Sequence, residues 1–167
     1  MSKAVMLSVR PKWCEKICRG EKTVEVRKTR PKLETPFKCY IYRTKGTVPH
    51  IINDKWVQME VGGTVIGEFT CDRIYELAPL KHAPDDVEQQ ACLTREEIVR
   101  YLKGVGYGWH ISDLKIYDPL KKLSEFKGLC KVESDCCACP YYNYSKMDCE
   151  GRTIKRPPQS WCYVEEM

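Results

Sequence analysis

The chain has 167 residues, enough for one domain with a buried core and small for two. With 43% hydrophobic and 31% charged residues it has a globular balance rather than that of a disordered chain, and no apolar run is long enough to span a bilayer. The formal charge of +5 is a mild excess that permits an anionic partner without requiring one.

In chain order, Ala4 to Arg10 reads as a short strand, with no signal-peptide apolar region before it, so a cytoplasmic location is expected. Pro11 suits the first turn of a helix, where its missing N–H costs nothing. Trp13 with Ile17, and Cys14 with Cys18, stand at i,i+4 spacing on one stripe, and Gly20 is placed as the C-cap. Thr23 to Lys28 alternates, with Val24 and Val26 on one face and Glu25 and Arg27 on the other. Phe37 to Arg43 alternates again, with Phe37, Cys39 and Ile41 inward. Gly46 to Glu60 is less regular and reads as an excursion near a sheet edge, followed by a turn at Gly62-Gly63. Thr64 to Ile74 is a strand with a bulge or barrel corner at Gly67. Pro79 to Ala91 reads as loop. Thr94 to Glu97 matches a capping box, with Leu93 and Ile98 as its hydrophobic staple, and the helix should run to about Lys103 and stop at Gly104. Tyr107 to Tyr117 is rich in strand formers, with Pro119 ending it, and Gln159 to Glu165 reads as a closing strand. Several short strands with two or three short helices imply an α+β fold built on a small, closed or nearly closed barrel.

There are 11 cysteines. Cys14, Cys18, Cys39, Cys71 and Cys92 are scattered through strand and helix patterns and read as small apolar fillers. The other six lie between Cys130 and Cys162, and without an export signal they read as metal ligands rather than disulfides. Cys136 and Cys139 have the C-x-x-C spacing that lets two thiolates reach one tetrahedral ion, and Cys130 and Cys149 complete a four-thiolate set. Cys137 is a spare thiol or a substitute for Cys136; Cys162 belongs to the closing strand and its core. Zinc suits such a structural site, and an iron–sulfur cluster is compatible with the same thiol count. The alternative is a set of unmetallated thiols. On this reading one domain spans 1–167, and 129–156 is a cysteine-rich insert within it whose folding energy comes from one metal per chain.

Leu7-Ser8-Val9-Arg10-Pro11, followed by Gly20-Glu21-Lys22-Thr23-Val24-Glu25-Val26-Arg27, resembles the ASCH domain family, whose G-x-K-x-x-E-x-R signature is complete at Gly20, Lys22, Glu25 and Arg27. Trp109 to Leu114 and Pro158 to Tyr163 look like bacterial and phage members. The resemblance implies a PUA-like barrel with a ligand cleft, and a partner that is RNA or a modified nucleoside. It also brings in small amidohydrolases that remove an acyl group from modified cytidine. In those enzymes the motif carries a threonine where this chain has Glu25, and a later glutamate acts with the motif lysine; Glu88 is the nearest counterpart here.

On residue chemistry, Lys22 is a point charge suited to phosphate or carbonyl oxygen, and Arg27 is a fork suited to phosphate, carboxylate or a base edge. Glu25 orients either cation or accepts from a base amino group. Arg10 and Lys12 join the same mouth, and Trp13, Trp109 and Trp161 offer stacking surfaces. The ligand-binding set is therefore Arg10, Lys22, Glu25, Arg27, Trp13, Trp109 and Trp161. The same charge alternation also describes a solvated, salt-bridged strand face with the tryptophans in the core. Should the chain be an enzyme, Lys22 and Glu25 are its catalytic pair, activating water in place of the missing hydroxyl. His110 reads as a structural strand residue. The leading expectation is a binding module; an amidohydrolase and a protein-interaction adaptor are the alternatives.

Overall fold

The computed structural model describes residues 2–77, 83–130, 140–146 and 148–167. The first strand, β1 (Lys3–Val9), leads through Arg10 into α1 (Pro11–Cys18). Pro11 fixes both the extended backbone of Arg10 before it and the first helical turn after it. Gly20 takes φ +72°, which turns the chain back toward β2 (Val24–Arg27). β3 (Phe37–Arg43) follows and pairs in parallel with β1.

β4 (Gly46–Ile52) and β5 (Lys55–Val61) form a regular hairpin where the sequence reads as an irregular excursion. Its turn residues Asn53 and Asp54 both have positive φ, the conformation that two-residue hairpins favour. The hairpin is a two-stranded sheet of its own and exposes both faces, with Trp56 72% and Ile51 53% accessible. That exposure erases the inward–outward alternation by which a strand is recognised.

The expected single strand over Thr64 to Ile74 is two, β6 (Thr64–Cys71) and β7 (Ile74–Glu76). The polar stretch after it contains α2 (Val87–Ala91), and α3 (Arg95–Leu102) begins at a complete capping box between Thr94 and Glu97. The expected strand from Tyr107 also divides, into β8 (Tyr107–His110) and β9 (Ser112–Lys122), which lie in different sheets. Pro119 does not end β9. It falls within a register shift between the Gly67–Ile116 and Val65–Lys121 pairs, where a proline removes no ladder hydrogen bond. Gly67 is required at this bulge: a Cβ there would sit 2.4 Å from the Lys115 carbonyl oxygen. β10 (Tyr142–Asn143) and β11 (Asp148–Cys149) form a small ribbon, and β12 (Trp161–Glu165) closes the fold by pairing with β1.

Among the described residues these strands do not close into the expected single barrel. They form a five-stranded sheet in the order β12-β1-β3-β6-β9, a three-stranded sheet β2-β8-β7, and the two hairpin ribbons. The sheets share a core in which Val5, Leu7, Ile41 and Phe69 meet Trp109 and the buried face of α1. The opposite face of the large sheet packs Met6, Tyr40 and Val65 against Phe126. α2 and α3 cover Val24 and Val26 of β2. Both faces of β1 are therefore buried, which is why it reads as a near-continuous apolar run. No helix among the described residues is long and apolar enough to cross a membrane.

Candidate functional site

β2 places its alternate residues as the sequence predicts, with Val24 and Val26 in the α2–α3 core and Glu25 and Arg27 on the other side. The surprise is burial. Lys22, Glu25 and Arg27 are 2%, 7% and 6% exposed, far from a solvated face. Buried charges persist only when paired and hydrogen-bonded, and this trio is both.

Lys22 is fixed from two directions. Its backbone N–H donates to the Lys16 carbonyl at the end of α1 (3.1 Å), and Thr23 N–H donates to Gln90 O of α2 (2.9 Å). Its Nζ then donates to Ala91 O at 2.7 Å, lies 3.5 Å from Glu25 Oε2 and stands 5.0 Å from the centre of the Trp13 ring. Burial pushes the Lys22 ammonium below its usual range, and Glu25 partly offsets this. An ammonium has three donors. Ala91 and Glu25 take two, which leaves one for a ligand.

Arg27 works differently. One terminal nitrogen donates to Ser8 O of β1 (2.8 Å) and to Glu25 Oε1 (2.9 Å). The other reaches Ser160 O (3.3 Å) and Ser160 Oγ (3.2 Å), just before β12. All four terminal N–H groups are thus committed, and Nε is buried with no hydrogen-bond partner among the described residues. Arg27 ties β2 to β1 and β12 and holds the Glu25 carboxylate in place. The trio carries two positive charges against one negative, a balance suited to a carbonyl oxygen or an anion.

These side chains form the wall of a cavity of about 470 Å³, a volume suited to one nucleoside. Arg10 and Trp13 line it as well. The sequence gives no direct sign of Thr44, Leu93 and Tyr101 on the same wall. Glu97 also lines it and is visible in the sequence as a cap residue; its carboxylate accepts the Thr94 N–H at 2.8 Å.

Other expected residues lie elsewhere. Trp109 is completely buried, edge-on to Phe37 at 5.8 Å between ring centres, and belongs to the core rather than the cavity wall. Trp161 is half-buried against the same core, donates its indole N–H to Thr29 Oγ1 (3.0 Å) and is absent from the wall. Glu88 accepts the Arg95 backbone N–H and also stands outside the wall. His110 Nδ1 lies 2.6 Å from Asp72 Oδ1, a pairing that joins β8 to the β6–β7 connection. Of the proposed metal ligands, Cys136, its substitute Cys137 and Cys139 lie outside the described residues; Cys130 is exposed and Cys149 is buried beside β10. Among the described residues no group of three or more metal-ligating side chains is assembled. Of the cysteines read as fillers, Cys14, Cys39 and Cys71 are buried, whereas Cys18 is exposed and Cys92 caps α2 in a left-handed conformation.

Neither a family sequence model nor a curated protein sequence matches this chain. Among solved structures it is similar to ASCH from Zymomonas mobilis, at 18% identity and a TM-score of 0.60, over 98% of this chain and 88% of that one. A serine-to-alanine mutant of the Zymomonas protein superposes equally well, at 17% identity and a TM-score of 0.60, over 98% of this chain and 89% of that one. Identity this low establishes architecture, and the architecture is shared over nearly the whole length: the chain has the ASCH-domain fold.

Proposed function

We propose that this chain is a PUA-like binding module that holds one unit of RNA, or one modified nucleoside, in the cavity walled by Lys22, Glu25 and Trp13. The observation that carries the reading is the burial of three ionisable side chains on the wall of one nucleoside-sized cavity. A fold gains nothing in stability from such a set over apolar residues of similar volume. A ligand that uses them supplies the reason for keeping them. In this reading Lys22 donates its third N–H to a base or acyl oxygen, Glu25 accepts from a base N–H, and Trp13 stacks. Arg27 holds Glu25 rather than the ligand.

A second reading is favoured by the placement of Lys22, buried 3.5 Å from Glu25 on the cavity wall, where burial pushes the ammonium below its usual range. There the Lys22–Glu25 pair activates a water that cleaves an N-acyl bond, releasing the free amine and a carboxylic acid. Titration with short single-stranded RNA, with cytidine and with N-acylated cytidine separates the two. Saturable binding without turnover supports the module, and accumulation of plain cytidine supports the hydrolase. Silence from all ligands moves the assignment to an adaptor that uses the exposed β4–β5 hairpin.

The metal remains part of the proposal: Cys130, Cys136 or Cys137, Cys139 and Cys149 bind one structural zinc per chain. Elemental analysis of anaerobically purified protein is expected to find one equivalent, and finding none refutes it.

A further inference from the structure

Three exposed cations, Arg10, Lys12 and Lys28, stand on the cavity wall or beside its rings. Arg10 lines the cavity itself. Lys12 Nζ stands 4.7 Å from the centre of the Trp13 ring, and Lys28 Nζ stands 5.3 Å from that of Tyr101; both rings are on the cavity wall. No side chain caps the first turn of α1, which starts beside Arg10 with no acidic residue in it. Pro11 has no N–H and the Trp13 and Cys14 N–H groups donate to Arg10 O, so the Lys12 N–H is the one left at this end to add positive potential among the described residues. Within the cavity, Arg27 is 6% exposed and its Nε has no partner among the described residues. Glu97, a carboxylate on the same wall, accepts the Thr94 N–H and lies within electrostatic reach of Lys12.

Lys12 and Lys28 are exposed and each stands over a ring of the cavity wall, within a side chain's reach of an anion held beside that ring. An anion bound beside the Trp13 ring gives the exposed Lys12 ammonium a charged partner as well as the ring. A bare nucleoside offers these cations only neutral hydroxyl and carbonyl oxygens. A nucleotide brings both the ring and the charge.

We infer that the mouth of the cavity binds a phosphate through Arg10, Lys12 and Lys28, so that the ligand is a nucleotide, free or within an RNA strand, rather than a nucleoside. This rests on the nucleoside-unit reading of the cavity. The phosphate lies outside, against exposed cations, while the base lies inside, against the buried Lys22–Glu25 pair. That division matches the usual one, in which phosphate contacts position a ligand and base contacts specify it.

The test is calorimetric titration of the full chain with the four nucleosides, the four nucleoside 5′-monophosphates and a mixed-sequence tetraribonucleotide. At least one monophosphate is expected to bind about tenfold tighter than its nucleoside, the factor of one charge-assisted contact. That advantage should shrink as salt rises and should vanish in the K12A/K28A double variant. An oligonucleotide tighter than every monophosphate identifies an RNA strand as the source of the phosphate, and equal affinity identifies the free nucleotide. A nucleoside that binds as tightly as its monophosphate overturns the inference and leaves the nucleoside-unit reading standing. No binding by any of these ligands overturns both.

Discussion

Removing Arg27 should expose how the site is built. The Arg27→Ala substitution deletes a guanidinium that is 6% exposed and makes four hydrogen bonds, to Ser8 O, Glu25 and both acceptors of Ser160. It leaves Glu25 buried with only Lys22 at 3.5 Å as partner. Breaking a buried ion pair by deleting one partner costs about 3–5 kcal/mol, mostly because the survivor stays buried and uncompensated. With a urea dependence of roughly 2 kcal/mol per molar, the unfolding midpoint should fall by about 1.5–2.5 M. The double variant E25A/R27A removes the stranded carboxylate, so it should be more stable than Arg27→Ala alone. Chemical denaturation of the wild type, both single variants and the double variant closes this cycle. A midpoint within about 0.3 M of wild type for Arg27→Ala, or costs that simply add, refutes the claim that Arg27 holds Glu25.

Other outcomes follow from the same geometry. Lys22→Ala should weaken ligand binding by about 1.5–3 kcal/mol while the chain stays folded by circular dichroism; unchanged affinity removes Lys22 from the site. Trp13→Ala should cost about 1–3 kcal/mol in the same titration, whereas Trp109→Ala should cost about 3–5 kcal/mol of folding stability, read by thermal unfolding. Burial pushes the Cys14 and Cys71 thiols up to about 12 from an ordinary 9.0. Each holds its proton more tightly when folded, so its contribution is whole below pH 9 and is lost as pH rises toward 12, at about 1.4 kcal/mol per pH unit and thiol. Lys22 acts in the opposite sense, because its depressed value lets stability rise with pH. Comparing wild type with Cys14→Ala at pH 8 and pH 10 isolates one thiol, and a stability difference independent of pH refutes its share.

The sequence reveals elements wherever a periodicity meets a boundary. β1, β2 and β3 show alternation or apolar runs, and α3 announces itself by Thr94 and Glu97. The β4–β5 hairpin is illegible because neither face is buried, so its side chains obey no period. α2 is only five residues long in a polar stretch, and β9 runs through a proline that a bulge accommodates. For the site, the motif supplies Lys22, Glu25 and Arg27 but not their burial, since alternating charge looks the same on a solvated face. Nor can it supply the partners of these side chains, because Ser8, Ala91 and Ser160 contribute backbone carbonyls, which every residue has. Trp109 shows the converse limit: a tryptophan that could stack a base and one that fills a core are indistinguishable in one dimension.

The Arg27–Ser160 contact spans 133 positions, and β12 pairs with β1. On the ribosome, β1, α1 and β2 are made first, yet Arg27 cannot take its native partners until Ser160 has left the exit tunnel. A nascent chain therefore carries the whole signature motif through the synthesis of the next 133 residues with no assembled cavity. Competence to bind waits on a contact whose long loop closure is slow to form.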